Sequence, residues 1–154
     1  MSAPKLSIHA VKSLGRALGS PLAWRGKAIG AALRERIILR VSSINSCYVC
    51  SAVHGTVARV VGVTAEQVEQ ARSREPADDE RTRAALRYAE IRTTGQEEDF
   101  PQDVAGFEAM YSPQERHEVR TIVDLFTFNN RFNNTWEALI PGGSMRRRRM
   151  GIEP

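Results

Sequence analysis

The stretch from Glu35 to His54, ERIILRVSSINSCYVCSAVH, holds a helical apolar period, a break and a restart. Ile37, Val41 and Ile44 stand at helical spacing and continue a pattern begun by Ile29 and Leu33, so one face of a helix is apolar. The β-branched run from Ile37 to Val41 would also suit a buried strand. The period extends on both sides of it, however, and Arg34, Glu35, Arg36 and Arg40 suit a partly exposed helix face. Upstream, Ser20 is a fitting N-cap for Pro21 at the first helical position, which predicts a helix opening there. Asn45 tolerates the left-handed conformation that ends helices and Ser46 can cap the next one, so a break is expected there and a restart at Cys47. Both cysteines then occupy the first turn of the new helix.

The rest of the chain is punctuated in the same way. The cysteine helix is expected to run to about Gly62, and Thr64 with Gln67 forms a capping box for a short helix that follows. Arg72 to Pro76 reads as a loop. Asp78 and Asp79 suit a helix N-terminus, and that helix runs through Thr94 to a stop at Gly95. Pro101 to Met110 predicts another short helix, and Ser112-Pro113 with Glu115 opens a long final one through about Leu139. Its Ile122, Leu125, Phe126, Phe128, Phe132, Trp136 and Leu139 cover more than one face, which predicts burial against both its own subunit and a neighbour. Asparagines 129, 130, 133 and 134 suit interhelical or intersubunit hydrogen bonds, and Trp24 and Trp136 suit core or interface positions. No Asn-Gly or Asp-Gly hairpin signal separates alternating segments, so the chain reads as all-α.

With 154 residues, 42 % of them hydrophobic, the chain can bury one core, which we place in residues 1–144 as a single domain. Residues 145–154 read as a basic flexible tail. The net charge of +4 equals the contribution of Arg146 to Arg149, so the remainder sums to zero. The six cations before Glu35 (Lys5, Lys12, Arg16, Arg25, Lys27 and Arg34) meet no acid in that stretch, and a nucleic-acid-binding face with interleaved aromatics is not visible. No run is apolar enough to span a bilayer, and no secretory h-region opens the sequence. A cytoplasmic protein without membrane or nucleic-acid partners is the expectation, and in that compartment a cysteine pair is ordinarily kept reduced, which points to catalytic or metal-bound thiols over a structural disulfide.

The only two cysteines, Cys47 and Cys50, are followed four positions later by His54. Spacings of three and four put all three side chains on one helical stripe. A helix N-terminus stabilises a thiolate, a neighbouring imidazole can take its proton, and a second thiol can capture a sulfenic acid as a disulfide. Glu35 on the preceding helix can orient the imidazole, completing a set of nucleophile, base and orienter.

The string from Glu35 to His54 resembles the signature of the carboxymuconolactone decarboxylase-like proteins, and within them the alkylhydroperoxidase D branch: Glu35, then Ser and Asn, then Cys47-Tyr48-Val49-Cys50 and His54. The resemblance implies an all-α helical bundle assembling as a trimer or hexamer, with the final helix at the contact. It implies reduction of organic hydroperoxides by protein thiols without haem, flavin or metal, recycled by a thiol reductant or adaptor protein. Cys50 would attack the peroxide, Cys47 would donate a proton and close the disulfide, and Glu35 with His54 would relay protons. The helix dipole alone points instead to Cys47 as the more acidic thiol. The best-studied members carry histidine just before the second cysteine where this chain has Val49, which bears on proton delivery and rate. Decarboxylases of the family generally lack the cysteine pair.

Other readings of the same residues stay open. Two cysteines and a hydrogen-bonded histidine can be simple core residues. A Cys2His metal site would use Cys47, Cys50 and His54, with Glu35, His9 or His117 as the fourth ligand. A non-enzymatic redox-sensing or interaction protein would also keep the pair.

Overall fold

In a computed structural model the described residues, 5–18, 28–77 and 79–139, form seven helices and no strand. These are α1 (Ile8–Leu18), α2 (Ala31–Ile44), α3 (Tyr48–Val60), α4 (Ala65–Ser73), α5 (Glu80–Thr94), α6 (Pro101–Met110) and α7 (Pro113–Leu139). The all-α reading therefore holds. The two-part division of the chain cannot be placed on the structure, because the basic tail, like Ser20, Pro21, Trp24 and Asp78, lies outside the described residues.

α2 is the central element and packs on α3, α4, α5 and α7. Ile37, Ile38 and Val41 join Leu86, Tyr88, Phe107, Val119 and Val123 in the larger core, whereas Leu39 turns to a smaller one with Ala58, Val63, Val68 and Ala71. Tyr88 stacks on Phe107 with centroids 4.1 Å apart, which ties α5 to α6. α1, which the sequence reading did not recognise, lies on α7. There Arg16 donates to both carboxylate oxygens of buried Asp124, which also accepts from Arg92 at 2.7 Å.

Two expectations for α2 are corrected. Its described start is Ala31, because Gly30 holds φ 72, a conformation outside the helix region, and the first helical bond runs from the Arg34 N–H to the Gly30 carbonyl. Ile29 is buried beside the helix, outside it. The second concerns its charged residues. Every residue from Glu35 to Ser42 is buried, so of the four charged residues only Arg34 keeps a partly exposed position, and Glu35, Arg36 and Arg40 have no exposed face to occupy. Burial lowers the Arg40 guanidinium and Glu90 partly offsets that, while its Nη2 donates to the carbonyls of Gln70 and Glu75. Helices pack around the Glu35–Ser42 stretch of α2 and leave it no solvent face, so its cations find partners inside through their terminal nitrogens, while the Nε of Arg36 and of Arg40 stays buried without a hydrogen bond among the described residues.

Other boundaries follow the chemistry read from the sequence. The Thr64/Gln67 capping box is present, and Asp79 accepts from the Thr82 N–H at 2.7 Å. Ser112 and Glu115 exchange reciprocal bonds at the head of α7. α4 extends to Ser73 and ends on left-handed Arg74, so the loop begins two residues later than expected. The α2–α3 junction differs by one residue. Asn45 stays near helical angles, Ser46 takes the left-handed conformation at φ 52, and Cys47 becomes the N-cap of α3 without a side-chain cap bond. The Ser46 N–H donates to the Ser43 carbonyl at 3.0 Å and the Cys47 N–H to that of Ser42 at 2.9 Å, the paired bonds of a Schellman turn.

Glycine is the residue favoured at the left-handed position of such a turn. Ser46→Gly is expected to stabilise the fold by about 1 kcal/mol and Ser46→Val to destabilise it by at least as much. Urea denaturation midpoints at unchanged slope check this.

His9 of α1 lies against Gly95 at the end of α5, where a Cβ would stand 3.2 Å from the ring. Burial, then the cations Arg131, Arg16 and Arg92, push its pKa below the ordinary 6.5, with Asp124 opposing. The unfolded chain therefore binds the proton more readily, and stability is lost as pH falls from about 6.5 toward the folded value. Urea midpoints at about pH 7.5 and 5.5 are expected to differ less in His9→Gln than in wild type.

Candidate functional site

Four elements converge on the α2–α3 junction. α2 supplies Glu35, the head of α3 supplies Cys47, Cys50 and His54, α7 supplies asparagines, and α4 braces α3 from the other side. The structure holds Cys47 and Cys50 as a disulfide, with Cα atoms 5.3 Å apart. Cys47 is 2 % exposed and Cys50 8 %, so the pair sits just beneath the surface.

His54 and Glu35 meet across the two helices, with Nδ1 2.7 Å from Oε2. Glu35 is buried and the imidazole half-buried, its ring edge-on to Phe126 of α7 at 4.9 Å. A carboxylate on Nδ1 fixes the ring and leaves Nε2 as the nitrogen for proton exchange. All four residues named from the sequence are thus on one side of the molecule, Glu35 bonded to His54 and Cys47 bonded to Cys50, with His54 one helical turn beyond Cys50.

Asn133 donates to the Cys50 sulfur at 3.3 Å. Asn134 donates to the Asn45 carbonyl at 2.7 Å, Arg131 to the Asn45 side-chain oxygen at 2.9 Å, and Asn130 to the Ser42 hydroxyl at 3.3 Å. Three of the four asparagines expected to bond between helices do so, and their target is the turn that carries the cysteines. A neutral amide N–H on sulfur favours the thiolate over the thiol, and among the described residues Cys50 alone of the two accepts such a bond. It offsets the dipole argument for Cys47, whose position at the uncapped head of α3 also favours negative charge.

Arg72 was not anticipated. Its Nε and Nη2 donate to the Ser51 hydroxyl and carbonyl at 3.1 and 2.8 Å, while its own carbonyl accepts from Ser43 at 2.5 Å. The guanidinium lies over Gly55, where a Cβ would come within 2.2 Å of it. A glycine inside a helix was the signal available in the sequence.

His9 and His117 lie apart from this cluster. His9 packs by Gly95 and His117 is exposed on α7, and among the described residues no group of three or more His, Cys, Asp or Glu side chains could hold a metal ion. Trp136 is 58 % exposed, so it is no core residue of this chain. No helix of the described residues is long and apolar enough to cross a membrane.

The carboxymuconolactone decarboxylase family model matches residues 13–90, about half of the chain and a span that includes Glu35, Cys47, Cys50 and His54. The chain belongs to that family. No curated protein and no solved structure matches it.

If Asn133 stabilises a Cys50 thiolate, Asn133→Ala is expected to move the pH profile for Cys50 alkylation upward in the reduced protein, and Asn133→Asp to move it further. Alkylation rates followed by mass spectrometry against pH read the shift.

Proposed function

We propose that this protein is a thiol-dependent peroxidase of the alkylhydroperoxidase D type, reducing organic hydroperoxides through Cys47 and Cys50. The observation that carries the reading is the Glu35–His54 bond at 2.7 Å in a helix pair whose next turn holds the disulfide. A hydrogen-bonded carboxylate and imidazole one turn from two adjacent sulfurs supply a nucleophile, a base and a resolving thiol together.

In the reduced enzyme His54 accepts the Cys50 proton, and the Asn133 amide stabilises the thiolate. The sulfur attacks one peroxide oxygen, the O–O bond breaks, and the departing alkoxide takes the proton from His54 to leave as an alcohol. Cys50 is now a sulfenic acid. The Cys47 thiol attacks it, the S–S bond forms, and water departs carrying the former Cys50 oxygen and the Cys47 proton. Two electrons pass from the thiols to the peroxide, so a thiol reductant must return them. Val49 in place of the family histidine leaves His54 as the imidazole nearest in sequence to the pair.

The protein works as a homo-oligomer, a trimer or hexamer. Support comes from large apolar side chains left open on α7, where Phe132, Trp136 and Leu139 are 46, 58 and 71 % exposed, and on α3 at Val53 and Val60.

Cys50→Ser is expected to abolish peroxide consumption. Cys47→Ser should allow a single oxidation and leave a sulfenic acid at Cys50 that dimedone labels. Glu35→Gln and His54→Ala should slow turnover on the order of a hundredfold. Wild-type protein treated with one equivalent of hydroperoxide should lose two hydrogens by mass; unchanged mass with both thiols free would sink the reading. Dimedone on Cys47 in Cys50→Ser, with none on Cys50 in Cys47→Ser, would reverse the two cysteine roles.

A further inference from the structure

The cysteine pair has two unlike sides. On one, Cys50 meets the Asn133 amide and the helix that carries His54. On the other, an open cleft of about 590 Å³ is lined by Ser43, Ser46, Ser51, Arg72 and Arg74, with Cys47 in its floor, and Cys50 takes no part in its walls. A disulfide that must be re-reduced therefore presents Cys47 to this cleft.

The lining carries two guanidinium groups and no carboxylate. Arg72 uses Nε and Nη2 on Ser51, which fixes its plane. Arg74 is exposed, at the left-handed end of α4, and makes no hydrogen bond or ion pair with the described residues. A guanidinium without a partner among the described residues, lining the same cleft as one held rigid, matches the planar oxygens of a carboxylate. The Ser46 and Ser51 hydroxyls add donors on the same wall.

We propose that this cleft receives a small thiol bearing a carboxylate, which acts as the electron donor to the disulfide; the proposal rests on the dithiol peroxidase reading above. The donor carboxylate sits on Arg74 and Arg72 and its thiolate attacks the Cys47 sulfur. A bond forms between the two, the Cys47–Cys50 bond breaks, and the electron pair leaves on Cys50 as a thiolate that the Asn133 amide hydrogen-bonds and to which His54 passes a proton taken up from solvent. A second donor thiolate then attacks the donor sulfur of the mixed disulfide. Cys47 is released as a thiolate, the two donors leave as their own disulfide, and two electrons and two protons have entered the protein. Peroxide and reductant would thus approach different sulfurs from different sides.

The test uses full-length protein oxidised with diamide, so that it does not depend on peroxide chemistry. Reduction by 3-mercaptopropionate and by 3-mercaptopropionamide is followed in stopped flow, with rates expressed per thiolate and compared with the same pair acting on bis(2-hydroxyethyl) disulfide. The protein is expected to favour the carboxylate about tenfold over that reference, with the preference shrinking as salt is raised. Arg74→Gln should reduce the preference and Arg74→Glu should turn it against the carboxylate. Acid quenching and alkylation should find the donor on Cys47. A preference equal to the reference, one that Arg74→Glu does not move, or a donor trapped on Cys50 would each overturn the proposal. Re-oxidation of the reduced protein by hydroperoxide, run separately, distinguishes this failure from failure of the peroxidase reading.

Discussion

The turn at Asn45 and Ser46 is the constraint on which the site depends. It brings the chain from the end of α2 to the head of α3 in a few residues, so that Glu35 and His54, nineteen positions apart, come within hydrogen-bond distance. The Schellman bonds use a left-handed serine, which costs on the order of 1 kcal/mol relative to glycine. That cost is met from outside the turn. Asn134 holds the Asn45 carbonyl, Arg131 holds its side chain, and Asn130 reaches Ser42, so α7 fixes the α2 side of the break. The same helix then places Asn133 on Cys50 and Phe126 on His54, which couples the rigidity of the turn to the chemistry beside it.

A second constraint is the burial of α2. A helix with neighbours on every face cannot be amphipathic in the usual sense, and its buried cations must find partners in the helices around it. Arg36 reaches Gln70, and Arg40 reaches Glu90 and the carbonyls of Gln70 and Glu75. These bonds tie the end of α4 to α2. The same end of α4 carries Arg72, which braces the first turn of α3, so the positions of the cysteines trace back to guanidinium groups in two helices.

Local chemistry was legible and long-range satisfaction was not. Thr64 with Gln67, Asp79, Gly95, Pro101 and Ser112 announce their boundaries, because capping depends on residues within one turn of each other. The stripe of Cys47, Cys50 and His54 was equally readable from spacing, and its resemblance to a family signature named Glu35. α1 was missed because the acid-free N-terminal segment offered composition in place of periodicity, and what holds it is Asp124, more than a hundred residues away. Arg36 and Arg40 were misplaced because charge ordinarily marks a solvent face; only the tertiary arrangement reveals that their partners are inside. The one-residue shift from Asn45 to Ser46 has a similar origin. Asparagine tolerates left-handed angles better than serine, yet here its side chain is committed to Arg131 and to the Val41 carbonyl, which holds Asn45 near helical angles as the C-cap and passes the left-handed position to its neighbour.

The division of labour proposed for the two sulfurs turns on the same placement. A helix dipole acts on the first turn as a whole and falls off within it, so between Cys47 and Cys50 it favours the former by a fraction of a kcal/mol at a surface site. A direct amide hydrogen bond to sulfur acts on one atom. In a site with Cys50 8 % exposed, a specific donor counts for more than it would in water. Asn133 belongs to α7, beyond the matched family region, so the feature that separates the two thiols comes from a different helix from the one that carries them. A nucleophile defined by its own helix would be indifferent to how α7 packs. One defined by Asn133 is competent only when α7 is docked, and docking is what the Asn45 clamp secures.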